Sequence, residues 1–260
     1  YEGGAGGEIR LSVAILRSAA ANPEPDPVVM LQGGPGGSTI YTYLQLLPPS
    51  PTLMGLNRDI VMFDLRSTRY SEPSLFCQEV YDLGIELLDD DIPMEESNRR
   101  YQEALQGCRD RLAQEGVNLS AYDSLENAAD VEALRTTLGY EQINLYGVSY
   151  GSLLALHVLE RYPQGLRTVT IDAVVPPQIN FITMTPQTIN RALEQVFEQC
   201  AQDAECSAAY PDLRAVFYQQ VDRLNEEPVT LELTDFDTNR TYPALVNGDA
   251  LISVVVQMLY

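Results

Sequence analysis

The residues most able to do chemistry are Gly147-Val148-Ser149-Tyr150-Gly151. They lie between an apolar, strand-like run (Ile143 to Tyr146) and a helical pattern that opens at Ser152 and is stopped by Pro163. A serine on a sharp strand-to-helix turn projects its hydroxyl as a nucleophile for acyl transfer. Side chains two positions either side would meet neighbouring backbone, so Gly147 and Gly151 are required to be glycine. The following helix N-terminus favours negative charge, and the backbone N–H of Tyr150 is placed to stabilise an oxyanion. The plainer alternative is an ordinary turn with an N-capping serine.

A second glycine-rich loop, Gln32-Gly33-Gly34-Pro35-Gly36-Gly37-Ser38, directly follows the apolar run Val28 to Leu31. Acyl transfer needs a second oxyanion donor, and a loop after an earlier strand supplies it in hydrolases of this kind. A phosphate loop fails on spacing, because neither G-x-x-x-x-G-K nor G-x-G-x-x-G starts here.

The elements that must position these loops read as follows. Ile9 to Leu16, Val28 to Leu31, Asp59 to Asp64, Ile143 to Tyr146 and Leu166 to Ala173 have strand patterns. Helical spacing covers 95 to 115, with Tyr101, Leu105, Cys108 and Leu112 on one face, and about 127 to 138, ended by Gly139 in a left-handed conformation. A short helix or turn is expected over 39 to 50, before Pro48 and Pro49 break it. Strand and helix in alternation predict a mostly parallel α/β sheet flanked by helices. After Val174 the texture changes. Pro176 and Pro177 open a linker, followed by amphipathic segments at 188 to 200 and 212 to 224, two short strands at 229 to 233 and 241 to 246, and a helix from Gly248. We therefore expect residues 1–173 to form the N-terminal part of the core and 174–260 to begin a mainly helical cap.

QGGPGGS, then DLRSTRYS (64 to 71), then GVSYGS resembles the prolyl iminopeptidase and tripeptidyl aminopeptidase family of α/β-hydrolases. That family shows HGGPG, a D-x-R-G-x-G-x-S stretch and G-x-S-x-G; the likeness covers most of the chain and is strongest to the secreted tripeptidyl-aminopeptidase-like branch. The resemblance implies the α/β-hydrolase fold, Ser149 as nucleophile, and the N–H groups of Gly34 and Tyr150 as the oxyanion hole. It also implies peptide substrates with a free amino terminus. Gln32 stands where many members have histidine, and Ser67 and Arg69 replace glycines of the second motif. Asp64 and Arg66 read as loop-bracing residues.

A serine nucleophile needs a base, usually histidine. The sequence holds one histidine, His157, eight residues beyond Ser149 on the following helix and so about 12 Å away. It reads as a packing residue. In this fold the order along the chain is Ser, then Asp or Glu, then His. Asp172, at a strand end, is an early position for the acid in some members of the fold, but an ordinary strand-end residue in the resembling family. The catalytic acid and histidine, and the last strands of the sheet, are thus expected on a second polypeptide, most simply the C-terminal fragment of the same precursor. The opening at Tyr1 and the glycines up to Gly7 suggest a cut or processed end.

The formal net charge is −21, and all 16 basic residues are arginine. Such a surface repels nucleic acid and anionic membranes and attracts cationic peptides. No run approaches the ~18 apolar residues of a membrane span. Four cysteines (77, 108, 200, 206) allow three pairings; the tidy one is Cys77 with Cys108 and Cys200 with Cys206, and pairing would indicate a secreted, periplasmic or cell-surface location. No cysteine has metal-ligand spacing with histidine, so neither metal nor cofactor is expected. The activity read from all this is an aminopeptidase-type serine peptidase working through an acyl-enzyme on Ser149. Cap carboxylates Glu194, Glu198 and Glu205 are candidates for holding the substrate amine, or else solvated helix charges. The alternatives are an esterase or small-acyl hydrolase, and a non-catalytic scaffold that keeps the elbow.

Overall fold

A computed structural model describes residues 8–46, 56–236 and 238–259. The expected helix or turn over 39 to 50 falls partly outside them; within them, a helical turn at Thr39–Tyr41 runs on as a π-helical stretch, Thr42–Leu46. The chain divides into two units, residues 1–76 with 109–179 and residues 77–108 with 180–260.

The first unit is built on five strands, β1 (Val13–Leu16), β2 (Val28–Leu31), β3 (Ile60–Phe63), β4 (Ile143–Val148) and β5 (Leu166–Asp172). Their order across the sheet is β1-β3-β2-β4-β5; β1 runs antiparallel to β3 and every other pair is parallel. Strands β2 and β3 are unbroken apolar runs because both of their faces are covered. On one face Val29, Leu31, Val61, Phe63 and Leu145 pack with Ala128, Val131, Leu154 and Val158. These last come from the helices Ser124–Thr137 and Tyr150–Arg161. On the other face Met30, Ile60 and Met62 pack with Ile40, Tyr43 and Tyr146.

Helices are numbered in chain order: α1 is Gln78–Glu86, α2 Met94–Gln114, α3 Ser124–Thr137 and α4 Tyr150–Arg161. Asp123 caps α3 by accepting from the N–H groups of Leu125 and Glu126 at 2.9 and 2.8 Å. Gly139, at φ +78°, closes it in the left-handed conformation its position demands. Below the sheet, Asp26 is buried and receives hydrogen bonds from Asn144 Nδ2 at 2.7 Å and Arg167 Nη1 at 2.9 Å, with an ion pair to Arg58. Burial pushes this carboxyl up, but Asn144 and Arg58 outweigh it and hold its pKa at about 2.

The second unit contains α1, most of α2, α5 (Phe181–Gln202), α6 (Ala204–Ala209), α7 (Leu213–Glu226) and α8 (Gly248–Met258). A separate antiparallel hairpin joins β6 (Val229–Thr234) to β7 (Thr241–Val246). It is mainly helical, as the change of texture predicts. Disulfides link Cys77 to Cys108 and Cys200 to Cys206. Phe197 on α5 packs against Phe217 and Tyr218 on α7, at ring-centroid distances of 5.7 and 6.2 Å.

Several elements differ from the sequence reading. Residues 77–108 group with the later residues, and the units divide at 179 and 180 where the texture suggested 173 and 174. Helix α5 begins seven residues before Thr188, capped by Asn180, and carries Pro186 in its interior. The missing proline donor is tolerated because this first part of the helix is exposed. Helices α1 and α6, nine and six residues long, are additions to the sequence reading.

Candidate active site

Strand β4 delivers Ser149 directly to the N-terminus of α4. Ser149 sits at φ 55°, ψ −120°, a conformation L-residues rarely adopt and one that stores strain. The flanking glycines explain how the turn is packed. A Cβ on Gly147 would lie 2.3 Å from the Gly151 carbonyl oxygen, and one on Gly151 would lie 2.0 Å from that of Leu31. Both contacts are with backbone, so no rotamer change relieves them.

The glycine-proline loop leaves β2 and lies against the elbow. A Cβ on Gly33 would come within 2.8 Å of Ser149 Cβ and 3.2 Å of its Oγ. The sequence reading did not single out Gly33 for this close approach; the only available signal was its place as the first glycine after the strand. The Gly37 N–H donates to the Gly33 carbonyl at 3.1 Å, closing the turn around Gly34, which has φ +121°, and the cis Gly34–Pro35 bond. Gln32, at the family's histidine position, donates through Nε2 to Thr42 Oγ1 at 3.1 Å and so fastens the loop.

The DLRSTRYS segment braces this loop from below. The fully buried Asp64 carboxylate accepts from Ser38 Oγ at 2.8 Å and from the N–H groups of Ile40 and Tyr70, each at 3.1 Å. Arg66 is also buried; it donates through Nε and Nη2 to Asp130 at 2.7 and 2.6 Å and through Nη1 to Glu126 at 3.1 Å and the Ala121 carbonyl. Ser67, where the family has glycine, keeps a left-handed φ of 83°. Arg69 lies over the Tyr41 ring, 4.0 Å from its centroid.

Tyr150 turns its ring into the core, its hydroxyl 2.9 Å from Ser124 Oγ, so its main chain starts α4 next to Ser149. Asp172 ends β5 beside the elbow; its carbonyl accepts the Ser149 N–H at 3.0 Å, and its carboxylate accepts from Tyr146 Oη at 2.9 Å. That hydrogen bond, with burial, raises the Tyr146 phenol above its ordinary pKa. His157 lies on α4 with its Nδ1 buried and without a hydrogen-bond partner. Thus Ser149, Tyr150, Gly147, Gly151, Gly33 and Gly34 come together in the first unit. Glu194, Glu198 and Glu205 lie in the second. Glu194 is ion-paired with Arg214, Glu198 lines a small hollow with Tyr210 and Asp212, and Glu205 sits in the first turn of α6.

A strained serine between a parallel strand and a helix, faced by a glycine loop from the adjacent strand, is the arrangement of one fold family. Residues 26–230 match the α/β-hydrolase fold family, and the chain belongs to it. Among its relatives, the serine protease Hip1 of Mycobacterium tuberculosis is 25% identical over 224 residues, covering 82% of this chain and 42% of that protein. The tripeptidyl aminopeptidase of Streptomyces lividans is 28% identical over 180 residues, covering 66% of this chain and 33% of that one. Among solved structures, the proline iminopeptidase of Mycobacterium smegmatis aligns over 82% of this chain and 58% of its own, with 17% identity and a TM-score of 0.45. The chain spans less than half the length of the curated relatives it matches.

Proposed function

We propose that this chain carries the nucleophile and the oxyanion-binding amides of a serine peptidase of the aminopeptidase type. In this reading Ser149 Oγ attacks the carbonyl carbon of a peptide bond near the substrate's amino terminus. The N–H groups of Gly34 and Tyr150 take the charge that develops on the carbonyl oxygen. Tyr150 is the first residue of α4, so its amide has no acceptor within the helix. The proton leaves Ser149 for a histidine, which passes it to the departing amine, and water then releases the acyl group. In this reading that histidine and its carboxylate belong to the rest of the protein, because His157 is the sole histidine of this sequence and lies two turns along α4 from Ser149. The observation that supports the proposal is the strained φ of 55° at Ser149 together with a glycine loop so near it that a Cβ on Gly33 would lie 3.2 Å from the Ser149 hydroxyl oxygen.

The second unit is read as the beginning of a cap. The relatives named above favour peptides over simple esters as substrates, and the net charge of −21 favours those with a free, cationic amino terminus. The two disulfides favour a secreted, periplasmic or cell-surface location, and among the described residues no helix is long and apolar enough to cross a membrane. The test is intact mass of the full-length protein before and after a fluorophosphonate, followed by turnover of tripeptidyl and aminoacyl anilides. We expect a single adduct at Ser149 and hydrolysis that stops when the substrate amine is acetylated. A labelled enzyme that hydrolyses only acetyl esters would refute the peptidase reading, and absence of any adduct would refute Ser149 as the nucleophile.

A further inference from the structure

Both polar main-chain groups of Ser149 are held from outside the elbow, and one link is a side chain with no part in the chemistry above. The Ser149 N–H donates to the Asp172 carbonyl at the end of β5. Its carbonyl accepts the Ser152 N–H at 2.9 Å and, in addition, the Ser152 hydroxyl at 2.6 Å. The same hydroxyl oxygen accepts the Val175 N–H at 2.8 Å. Ser152 is completely buried, and one hydroxyl thereby uses its single donor and an acceptor site at once. Between the two ends of this link the chain turns back at Ala173, whose φ is 48°.

We propose that Ser152 is a positioning residue for the nucleophile, its buried hydroxyl locking the Ser149 carbonyl to the Val175 N–H at the exit of β5. The inference rests on the reading of Ser149 as nucleophile and adds to it a residue that acts only through Ser149. The physical reason is over-determination. A residue at φ 55°, ψ −120° stays there only if its surroundings forbid relaxation. The Ser152 N–H would satisfy the Ser149 carbonyl by itself, as at any helix start. What the hydroxyl adds is a second bond to that carbonyl from an oxygen that is itself held by the Val175 N–H of another segment.

The test compares Ser152→Ala with Ser152→Thr, which keeps the hydroxyl. In the full-length protein, hydrogen exchange at Val175 should quicken by about tenfold or more in S152A and recover in S152T. Unchanged exchange in S152A overturns the link. In the full-length protein, S152A should lower both the fluorophosphonate labelling rate and kcat on a peptidyl anilide by about tenfold to a hundredfold. KM should stay within about twofold, since the substrate-binding surface is untouched. Equal kcat in S152A and wild type, or a loss no larger than the unfolded fraction at the assay temperature, overturns the positioning role. A wild-type protein that is not labelled at all would instead refute Ser149 as nucleophile, while Val175 exchange would still decide whether the link exists.

Discussion

Replacing Gly151 by alanine should damage the first unit out of proportion to the one methyl added. The new Cβ would sit 2.0 Å from the Leu31 carbonyl oxygen and 2.6 Å from its carbon, whereas real Cβ contacts stay beyond 3.0 Å. Relief requires a shift of about 1 Å (3.0 − 2.0) between α4 and β2. Strand β2 cannot yield easily, because it is paired with β3 on one side and β4 on the other, and Leu31 is itself buried. Overpacking costs about 1–3 kcal/mol, and a clash with backbone on a doubly paired strand puts G151A at the upper end. Two other glycines calibrate the argument. Gly36 has open space around it but φ +100°, so alanine there should cost about 1–2 kcal/mol from backbone strain alone. Gly84, inside α1 with nothing within 4 Å, should gain about 0.5–1 kcal/mol when made alanine. Urea titrations of the three variants, with hydrogen exchange at Leu145 and Leu154 to report the first unit and at Leu83 to report the second, would measure the series. A G151A protein within about 0.5 kcal/mol of wild type would refute the steric reading of the elbow.

Ser149→Gly should stabilise the chain by about 1–2 kcal/mol, because glycine adopts φ 55°, ψ −120° without strain, and should abolish fluorophosphonate labelling; a lower melting temperature would contradict the strain. Asp26 has a folded pKa of about 2 against an ordinary 3.8, so its contribution is complete above about pH 4 and is lost as pH falls towards 2. Asp26→Asn should therefore cost about 2 kcal/mol at neutral pH and flatten the acid limb of a stability-versus-pH curve between 4 and 2; an unchanged limb would remove Asp26 from the account. Opening Cys77–Cys108, with 31 residues of separation, should cost about 4 kcal/mol, and opening Cys200–Cys206, with a separation of 6, about 2. Paired serine variants compared by denaturant midpoint check that order, and a larger loss from the shorter loop would reverse it.

Local sequence accounts for much of the architecture. The apolar runs of β2 and β3, the Asp123 cap and the left-handed Gly139 are each dictated within a few residues, so each is legible without knowing what lies across the sheet. The elbow is legible for the same reason: the glycines two before and two after Ser149 meet obstacles in the turn and the adjacent strand, and only glycine fits. The start of α5 was misplaced because Pro186 is a strong local breaker whose lost hydrogen bond is made cheap by exposure, and exposure is a property of the fold. The grouping of residues 77–108 with the later ones was invisible for a related reason. The Leu88 carbonyl accepts the Leu245 N–H and the Tyr81 hydroxyl meets Asp235, contacts more than 150 residues apart along the chain that leave no periodic trace.

By itself, then, the sequence determined which residue could be the nucleophile and which loop could face it, and it placed its single histidine eight residues beyond that serine. Tertiary structure decided what holds these parts to each other. Arg66 finds Asp130 across 64 residues, Asp64 gathers Ser38, Ile40 and Tyr70 around one buried carboxylate, and Ser152 joins the elbow to Val175. Each of these pairings is a choice among many chemically equivalent donors and acceptors. A buried polar group must be satisfied, but only the packed chain determines which partner is within hydrogen-bonding distance.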